Sequence, residues 1–375
     1  MKVLHLIDSG GLYGAEKMLL ALVKAQMDQG LEPMILSAGD PAIEEKPLEA
    51  EAKRLELPIT PWRMKPGFNI RESRRILKWA ISDGYHILHS HGFKFNVLLG
   101  NYPKRLRGIP MVATLHGYVH ARRFSKMWFY ELLDRFAITF LQGVVLVGEA
   151  MKKELPDHMV TSEKVRVIPN GLDIDAILLQ AEQPIERLAE EFVGSHSPIV
   201  LGVGRLSQEK GFDRLIDSFQ IVCEKFDNPG LIIVGEGKQR VNLETRVAEL
   251  ELGDKVLMPG YSSNVPGLLR TANLFVIPSL TEGLPITLLE AMAVGVPILA
   301  SSVGEIPAVL GFGDGGYVLP ESSDINDLGD LMVDVLDRFQ DRSKVDWSLK
   351  EVASSYSVEW MERRYREFYR RATAS

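Results

Sequence analysis

Two glutamates, Glu282 and Glu290, stand in SLTEGLPITLLEAMAVGVPILAS, a segment that is otherwise mostly apolar and marked by glycine and proline. If PITLLEAMAV is a helix, Glu282 lies in the loop before it and Glu290 lies inside it. Eight helical residues would rise about 12 Å. Glycosidase carboxylates face each other across about 5 to 9.5 Å, and this spacing along one element suits a different job. It suits an elongated ligand touched at two points, with an anion at the helix N-terminus beside Gly283 and Leu284. A nucleotide sugar has that layout: ribose hydroxyls, diphosphate, sugar hydroxyls. The apolar neighbours Leu288, Leu289, Ala291 and Met292 argue against a merely solvated helix face for Glu290.

Further candidates follow strand-like runs. After PIVLGV comes VGRLSQEKGF, in which Gly202 and Gly204 permit a turn and Arg205 and Lys210 could neutralise a diphosphate. Two surface cations near a turn are the plainer alternative. DSGGLYGAEK places Gly10, Gly11 and Gly14 between a strand and a helix, where the backbone can approach an anion. The spacing is not the dinucleotide GxGxxG, and a tight turn would need the same residues. His116 in TLHGYVH ends a strand and could hydrogen-bond a sugar or carry a proton; a satisfied loop histidine is the alternative. His89 and His91 form an HxH pair, and His116 and His120 are four apart. No Asp, Glu or Cys lies in the window from Gly84 to Tyr130, so no metal is expected there.

These residues need elements to hold them. Short β-like runs (KVLHLID, EPMILSA, HILHSH, PMVATLH, GVVLVG, then PIVLGVG, LIIVGEG, KVLMPG, LFVIPS) alternate with amphipathic helical runs. That alternation predicts parallel sheets covered on both faces. A strand-loop-helix unit opens the chain and another opens near Ser197, which predicts two doubly wound α/β domains with ligands at the carboxyl ends of their strands. The expected domains are 1–177, 178–355 and a terminal amphipathic helix, 356–375. A length of 375 residues fits more than one core. The single cysteine, Cys223, cannot form a disulfide within the chain, which fits a reducing compartment. The opening MKVLHLIDSGG does not read as a signal peptide, and no run of about 18 apolar residues predicts a membrane span. Residues 1–177 carry 24 basic and 20 acidic residues, a balance of +4, against 19 and 30, or −11, for the remainder, which sums to the net −7.

Taken together, GGLYGAEK, TLHGY, VIPNGLD, VGRLSQEKG and EGLPITLLE resemble the retaining glycosyltransferases of family 4, which have the GT-B fold. The resemblance runs through most of the chain and is strongest from about 197 to 305. It implies two Rossmann-like domains facing across a cleft, an N-terminal one for the acceptor and a C-terminal one for the nucleotide sugar. The final helix would cross back to the first domain. By the same resemblance, Glu290 would bind the ribose hydroxyls, and Glu282 the donor sugar hydroxyls. Arg205 and Lys210 would hold the diphosphate, and Gly11 and Gly14 would approach the donor phosphates. His116 would contact the sugar near the reacting carbon, and Met258 to Tyr261 would frame the base. His91 and Lys94 are assigned to the acceptor. The leaving phosphate itself would take the acceptor proton, so no catalytic base, metal or cofactor is assigned. SVGEIPAV departs from the family's usual Gly-Gly-Ile-Pro-Glu, with Glu305 for a glycine and Ala308 for the glutamate. Asp173 and Asp175 form an Asp-x-Asp pair, but at the domain junction, where it reads as a linker feature.

The implied reaction moves a hexose or N-acetylhexosamine from a UDP-sugar, or next GDP-mannose, to a glycan or lipid-linked acceptor. A nucleotide-sugar 2-epimerase or a non-catalytic nucleotide-sugar binder shares the fold. The acid-free window holds seven basic residues, and Arg122, Arg123 and Lys126 alternate with Phe124, Trp128, Phe129 and Tyr130. That mixture suits an anionic membrane surface touched through residues 94–130. The expected location is the cytoplasm, at the inner face of the membrane. Overall acidity argues against nucleic acid.

Overall fold

The computed structural model describes the chain except residues 9, 13, 66, 68, 117–124, 339, 340 and 375, and without the side chains of 126, 127 and 150. Arg122, Arg123, Phe124 and His120, and the side chain of Lys126, therefore lie outside the described residues. The chain forms two compact units, Met1–Gly171 with Val358–Ser375, and Leu172–Ser357.

The first unit holds β1 (Lys2–Ile7), β2 (Glu32–Gly39), β3 (Ile59–Arg63), β4 (Ile87–Ser90), β5 (Met111–Leu115), β6 (Gly143–Leu146) and β7 (Val165–Val167). They make one parallel sheet in the order β3-β2-β1-β4-β5-β6-β7. The strand order reverses between β1 and β4, which opens a ligand-sized crevice beyond their carboxyl ends in doubly wound sheets. Both faces are covered, so the central strands are buried almost throughout and read as continuous apolar runs. The covering helix Gly14–Asp28 buries Met18, Leu19, Leu22, Val23 and Gln26. The C-terminal helix Val358–Ala374 belongs to this unit and buries Met361, Tyr365, Phe368, Tyr369 and Ala372. Their three- and four-residue spacing gives it one apolar face. That face packs against Val3, Leu22, Ile87, Val112 and Val145. Gly143 makes the approach possible: a Cβ there would meet Phe368 Cζ at 2.2 Å.

The second unit holds β8 (Ile199–Val203), β9 (Gly230–Val234), β10 (Val256–Gly260), β11 (Leu274–Ile277), β12 (Ile298–Ser301) and β13 (Tyr317–Leu319). Its parallel sheet has the order β10-β9-β8-β11-β12-β13, with the reversal between β8 and β11. The polar stretch after the junction forms the helices Ile174–Ala181 and Arg187–Ser195. Asp173 caps the former by accepting from the Ala176 amide at 3.0 Å, and Asp175 lies in its first turn. That is a local folding role for the Asp-x-Asp pair. No helix among the described residues is long and apolar enough to cross a membrane.

One sequence reading changes in the structure. Arg107, counted in the basic window, is fully buried and donates to the carbonyls of Ile109 at 2.9 Å and Tyr102 at 3.0 Å. It is a folding residue, because a buried guanidinium must spend its donors on carbonyls. Burial lowers its pKa to about 10. Further along, the apolar side chains Phe129, Leu132, Phe136 and Phe140 are 50, 52, 58 and 39% exposed.

Candidate functional site

In the second unit, the loops after β8, β11 and β12 interlock at the point of strand reversal. Gly211, at φ +64°, ends the short turn Gln208–Lys210, and a Cβ there would lie 2.3 Å from the Pro278 carbonyl oxygen. The Leu280 amide donates to the Glu209 carbonyl at 2.8 Å. Gly304, at φ +59°, presses on the Glu282 carbonyl, and the Glu305 amide donates to the Gly283 carbonyl at 3.1 Å. Only glycine fits the two left-handed, crowded positions. The result fixes Lys210 and Glu282 against each other. Lys210 Nζ lies 2.6 Å from Glu282 Oε1, and the Ser279 hydroxyl donates to the same oxygen at 2.7 Å. The two side chains are 22 and 9% exposed. Sequence reasoning assigned this lysine and this glutamate to separate parts of a ligand; the structure makes them one ion pair at the mouth of the sheet.

The other expected residues of the unit lie on the loops and the helix that follow its strands. Arg205 is exposed just beyond β8. Glu290 is half-buried in the helix Ile286–Val294, whose Leu288, Leu289, Ala291, Met292 and Ala293 are buried. Gly283 and Leu284 lie just before Pro285, the cap residue of that helix, whose first amides have no acceptor within it. Tyr261 follows β10 and is 81% exposed. Arg240, which carried no sequence signal, ties the loop after β9 to strand β10. It pairs with Glu236 at 2.7 Å and Glu244 at 2.8 Å, and donates to the Gly235 and Met258 carbonyls at 3.2 and 3.3 Å.

In the first unit, the loops after β1 and β4 meet through Asp8. Its carboxylate accepts from Lys46 at 2.9 Å and Lys94 at 2.6 Å. Burial works to raise the Asp8 pKa, but the two ammonium groups outweigh it and hold the carboxyl below its ordinary value. Gly11 is buried and Gly14 is exposed at the start of its helix. A Cβ added at Gly10 or Gly14 would meet nothing within 4 Å, so the backbone there faces open space. A groove of about 580 Å³ is lined by Asp8, Gly10, Asp40, Lys46, Met64 and Lys94. Asp8 and Lys46 carried no sequence signal beyond the end of a strand and a loop lysine.

Beneath that edge lies a cluster of imidazoles. His5 on β1 pairs in register with His89 on β4, and both are fully buried, with His91 at 5% exposure. Desolvation pushes His5 and His116 down to about 4, and His89 and His91 well below the ordinary imidazole value. All four are therefore neutral at pH 7. His116 follows β5, with its ring centroid 5.9 Å from that of His91. The His91 Nδ1 and His116 Nε2 atoms are both buried and find no hydrogen-bond partner among the described residues. Ring nitrogens of His5, His89 and His91 lie within 4.8 Å of one another, a spacing that could hold a metal ion. Both nitrogens of His5 and both of His89 are taken by hydrogen bonds, to His91, Gln26, Tyr369 and Thr114. An ion would have to displace those bonds.

Two family models match the chain: Glycosyltransferase Family 4 over residues 13–176, and Glycosyl transferases group 1 over residues 186–346. The chain is 28% identical over 271 residues to the UDP-Gal:alpha-D-GlcNAc-diphosphoundecaprenol alpha-1,3-galactosyltransferase of Escherichia coli, covering 70% of this chain and 69% of that protein. It is 26% identical over 274 residues to the N-acetyl-alpha-D-glucosaminyl L-malate synthase of Bacillus anthracis, covering 72 and 70%. The crystal structure of HepE from Anabaena in complex with UDP aligns with a TM-score of 0.78 at 19% identity, covering 98% of this chain and 99% of that one. That last likeness is one of fold.

Proposed function

We propose a reaction from one premise: the chain belongs to the family 4 glycosyltransferases and has their GT-B fold. It moves a hexose or N-acetylhexosamine from a UDP-sugar to a glycan or lipid-linked acceptor, with retention at the anomeric carbon. The observation that carries this reading is the Lys210–Glu282 pair at the strand reversal, with Arg205 in the loop after β8 and Glu290 on the helix that follows Glu282. Cations there match a diphosphate, and flanking carboxylates match hydroxyls on either side. The UDP preference is supported by the galactosyltransferase relative, whose name specifies UDP-Gal, and by the UDP bound in the Anabaena protein. The lipid-linked acceptor is supported by the diphosphoundecaprenol in the same relative's name.

In this reading Arg205 and Lys210 neutralise charge as the bond between the anomeric carbon and the phosphate oxygen breaks. Glu282 holds the sugar hydroxyls and Glu290 the ribose. Gly283 and Leu284 offer backbone to the phosphates, and Tyr261 flanks the base. In the first unit, the acceptor-binding one, Gly11 and Gly14 give close backbone approach to the phosphates. His116 contacts the sugar, and His91 and Lys94 meet the acceptor. The acceptor oxygen bonds to the anomeric carbon while its proton passes to the leaving phosphate oxygen on the same face. No protein base or metal takes part. The test is a screen of UDP-, GDP- and ADP-sugars in EDTA by thermal shift and donor hydrolysis, then the product's anomeric configuration by NMR. A shift with UDP-sugars and a retained product is expected; metal-dependent turnover or inversion refutes the reading.

The first unit is also proposed to dock on an anionic membrane. Phe129, Leu132 and Phe136 on the helix Lys126–Ala137, and Phe140 in the turn after it, are exposed at three- and four-residue spacing. Exposed Arg105 and Leu106 add the same mixture of charge and apolar surface. Flotation with anionic liposomes, lost on Phe136→Ser with Leu132→Ser, is the expected result. Absence of binding by the unsubstituted chain refutes it.

A further inference from the structure

Seven buried side chains of the first unit form a single hydrogen-bonded file that runs from His91 to the C-terminal helix. His91 Nε2 meets His5 Nδ1 at 2.9 Å, and His5 Nε2 meets Gln26 Oε1 at 2.8 Å. Gln26 Nε2 meets the Tyr369 hydroxyl at 3.3 Å, and that hydroxyl meets His89 Nδ1 at 2.7 Å. His89 Nε2 meets the Thr114 hydroxyl at 2.8 Å, which meets the Tyr365 hydroxyl at 2.9 Å. None of the seven is more than 5% exposed.

The file has a direction, and Gln26 sets it. An amide accepts at its oxygen and donates at its nitrogen, while a neutral imidazole does one at each ring nitrogen. With the Gln26 oxygen toward His5, His5 must donate from Nε2 and accept at Nδ1. His91 must then donate from Nε2, which leaves a lone pair on His91 Nδ1. At the other end, Gln26 donates to Tyr369, Tyr369 donates to His89 Nδ1, and His89 donates from Nε2 to Thr114. Every link is matched once. Turning the amide over would reverse every link and place an N–H on His91 Nδ1 instead. A mixed arrangement, with Tyr369 accepting from both Gln26 and His89, would leave its own O–H buried without an acceptor. The file therefore has two fully matched states, and the Gln26 amide, with its oxygen on His5 and its nitrogen on Tyr369, stands in the one in which His91 accepts.

We infer that this file holds His91 Nδ1 as the hydrogen-bond acceptor for a substrate hydroxyl, with Gln26 and Tyr369 as positioning residues acting through His5. The inference rests on the transferase reading, which places His91 at the acceptor. The orphaned lone pair is what points to a ligand. Among the described residues His91 Nδ1, just after β4 beside the strand reversal, is buried with no partner, and the neighbouring His116 Nε2 has none either. A hydroxyl supplies the missing proton. The polarised file keeps the lone pair from being lost to the other tautomer.

The test is long-range proton–nitrogen NMR of the full chain labelled with ¹⁵N-histidine, with His91 assigned by His91→Gln. Expected at pH 7 is His91 with a proton on Nε2 and a bare Nδ1, without any substrate added. Tyr369→Phe removes the hydroxyl that anchors the amide, so His91 should become a mixture of tautomers. The same variant should lose about tenfold in kcat/KM for the acceptor, the worth of one hydrogen bond, while donor affinity stays put. A proton on His91 Nδ1 in the unsubstituted chain overturns the inference without any variant, as does an unchanged tautomer in a folded Tyr369→Phe. The tautomer signal needs no turnover. If it behaves as expected while no sugar is transferred from any donor, the transferase reading fails and the polarised file stands.

Discussion

Glu282→Gln separates the two duties that meet at the Lys210 ammonium. In the free protein Lys210 Nζ lies 2.6 Å from the Glu282 carboxylate, which is 9% exposed. With an effective dielectric near 20, two unit charges at that distance attract by about 6 kcal/mol. Most of that is offset by taking both groups from water, and a hydrogen bond to a charged group nets about 1.5 to 3 kcal/mol. The amide keeps an oxygen for Lys210 and Ser279 and keeps the side-chain shape, so folding stability should fall by about 1 to 2 kcal/mol. Binding should split. UDP alone meets a lysine no longer neutralised by a carboxylate, so its affinity should hold or rise. A UDP-sugar loses charged hydrogen bonds to its hydroxyls, about 1.5 to 3 kcal/mol, or roughly 10- to 150-fold. Calorimetry with UDP and with the UDP-sugar, on Glu282→Gln beside the unsubstituted chain, reads both. An equal fall for the two ligands would refute the sugar role of Glu282. A collapse in thermal stability would show instead that the pair holds up the loops.

Glu290→Ala should weaken binding of the nucleotide alone by about 1 to 3 kcal/mol, and unchanged affinity in calorimetry would count against its ribose role. Gly143→Ala should destabilise the chain by about 1 to 3 kcal/mol by overpacking against Phe368; a thermal melt should show part of the loss recovered by adding Phe368→Leu. Stability should fall on acidification. The His5 pKa is lowered to about 4 in the folded chain, so between about 6.5 and 4 the unfolded chain binds the extra proton and stability drops as pH falls. From pH 7 to pH 5 His5 alone should cost about 2 kcal/mol. Urea midpoints at the two pH values measure this, and midpoints that do not move would show that the imidazoles are not buried as described.

The parts legible in the sequence were those whose causes are local. Buried parallel strands write themselves as apolar runs, and the glycines and charges after β8 and β11 mark the loops at the strand reversal. The strands that escaped have physical reasons. Pro61 sits in β3, an edge strand that is only half-buried, and β7 and β13 are edge strands of three residues each. Strand β12 follows Gly295 so closely that its residues read as a continuation of the apolar helix before it. The polar interior was illegible for a different reason. His5 and His89 occupy strand positions where an isoleucine would fit, and nothing local shows that their partners are Gln26, 21 positions along, and Tyr369, 280 positions away. A sequence window sees a histidine pair spaced for a metal; the folded chain supplies hydroxyls and an amide instead. Tyr365 and Tyr369 repeat at a helical spacing that fits an apolar stripe, and that stripe is real. Their hydroxyls are what distinguish the helix from a mere cover. Replacing both with phenylalanine would leave the helix face apolar while stripping the imidazole file of two partners. Packing dictates where that helix lies, and its two hydroxyls dictate which way the buried hydrogen bonds point.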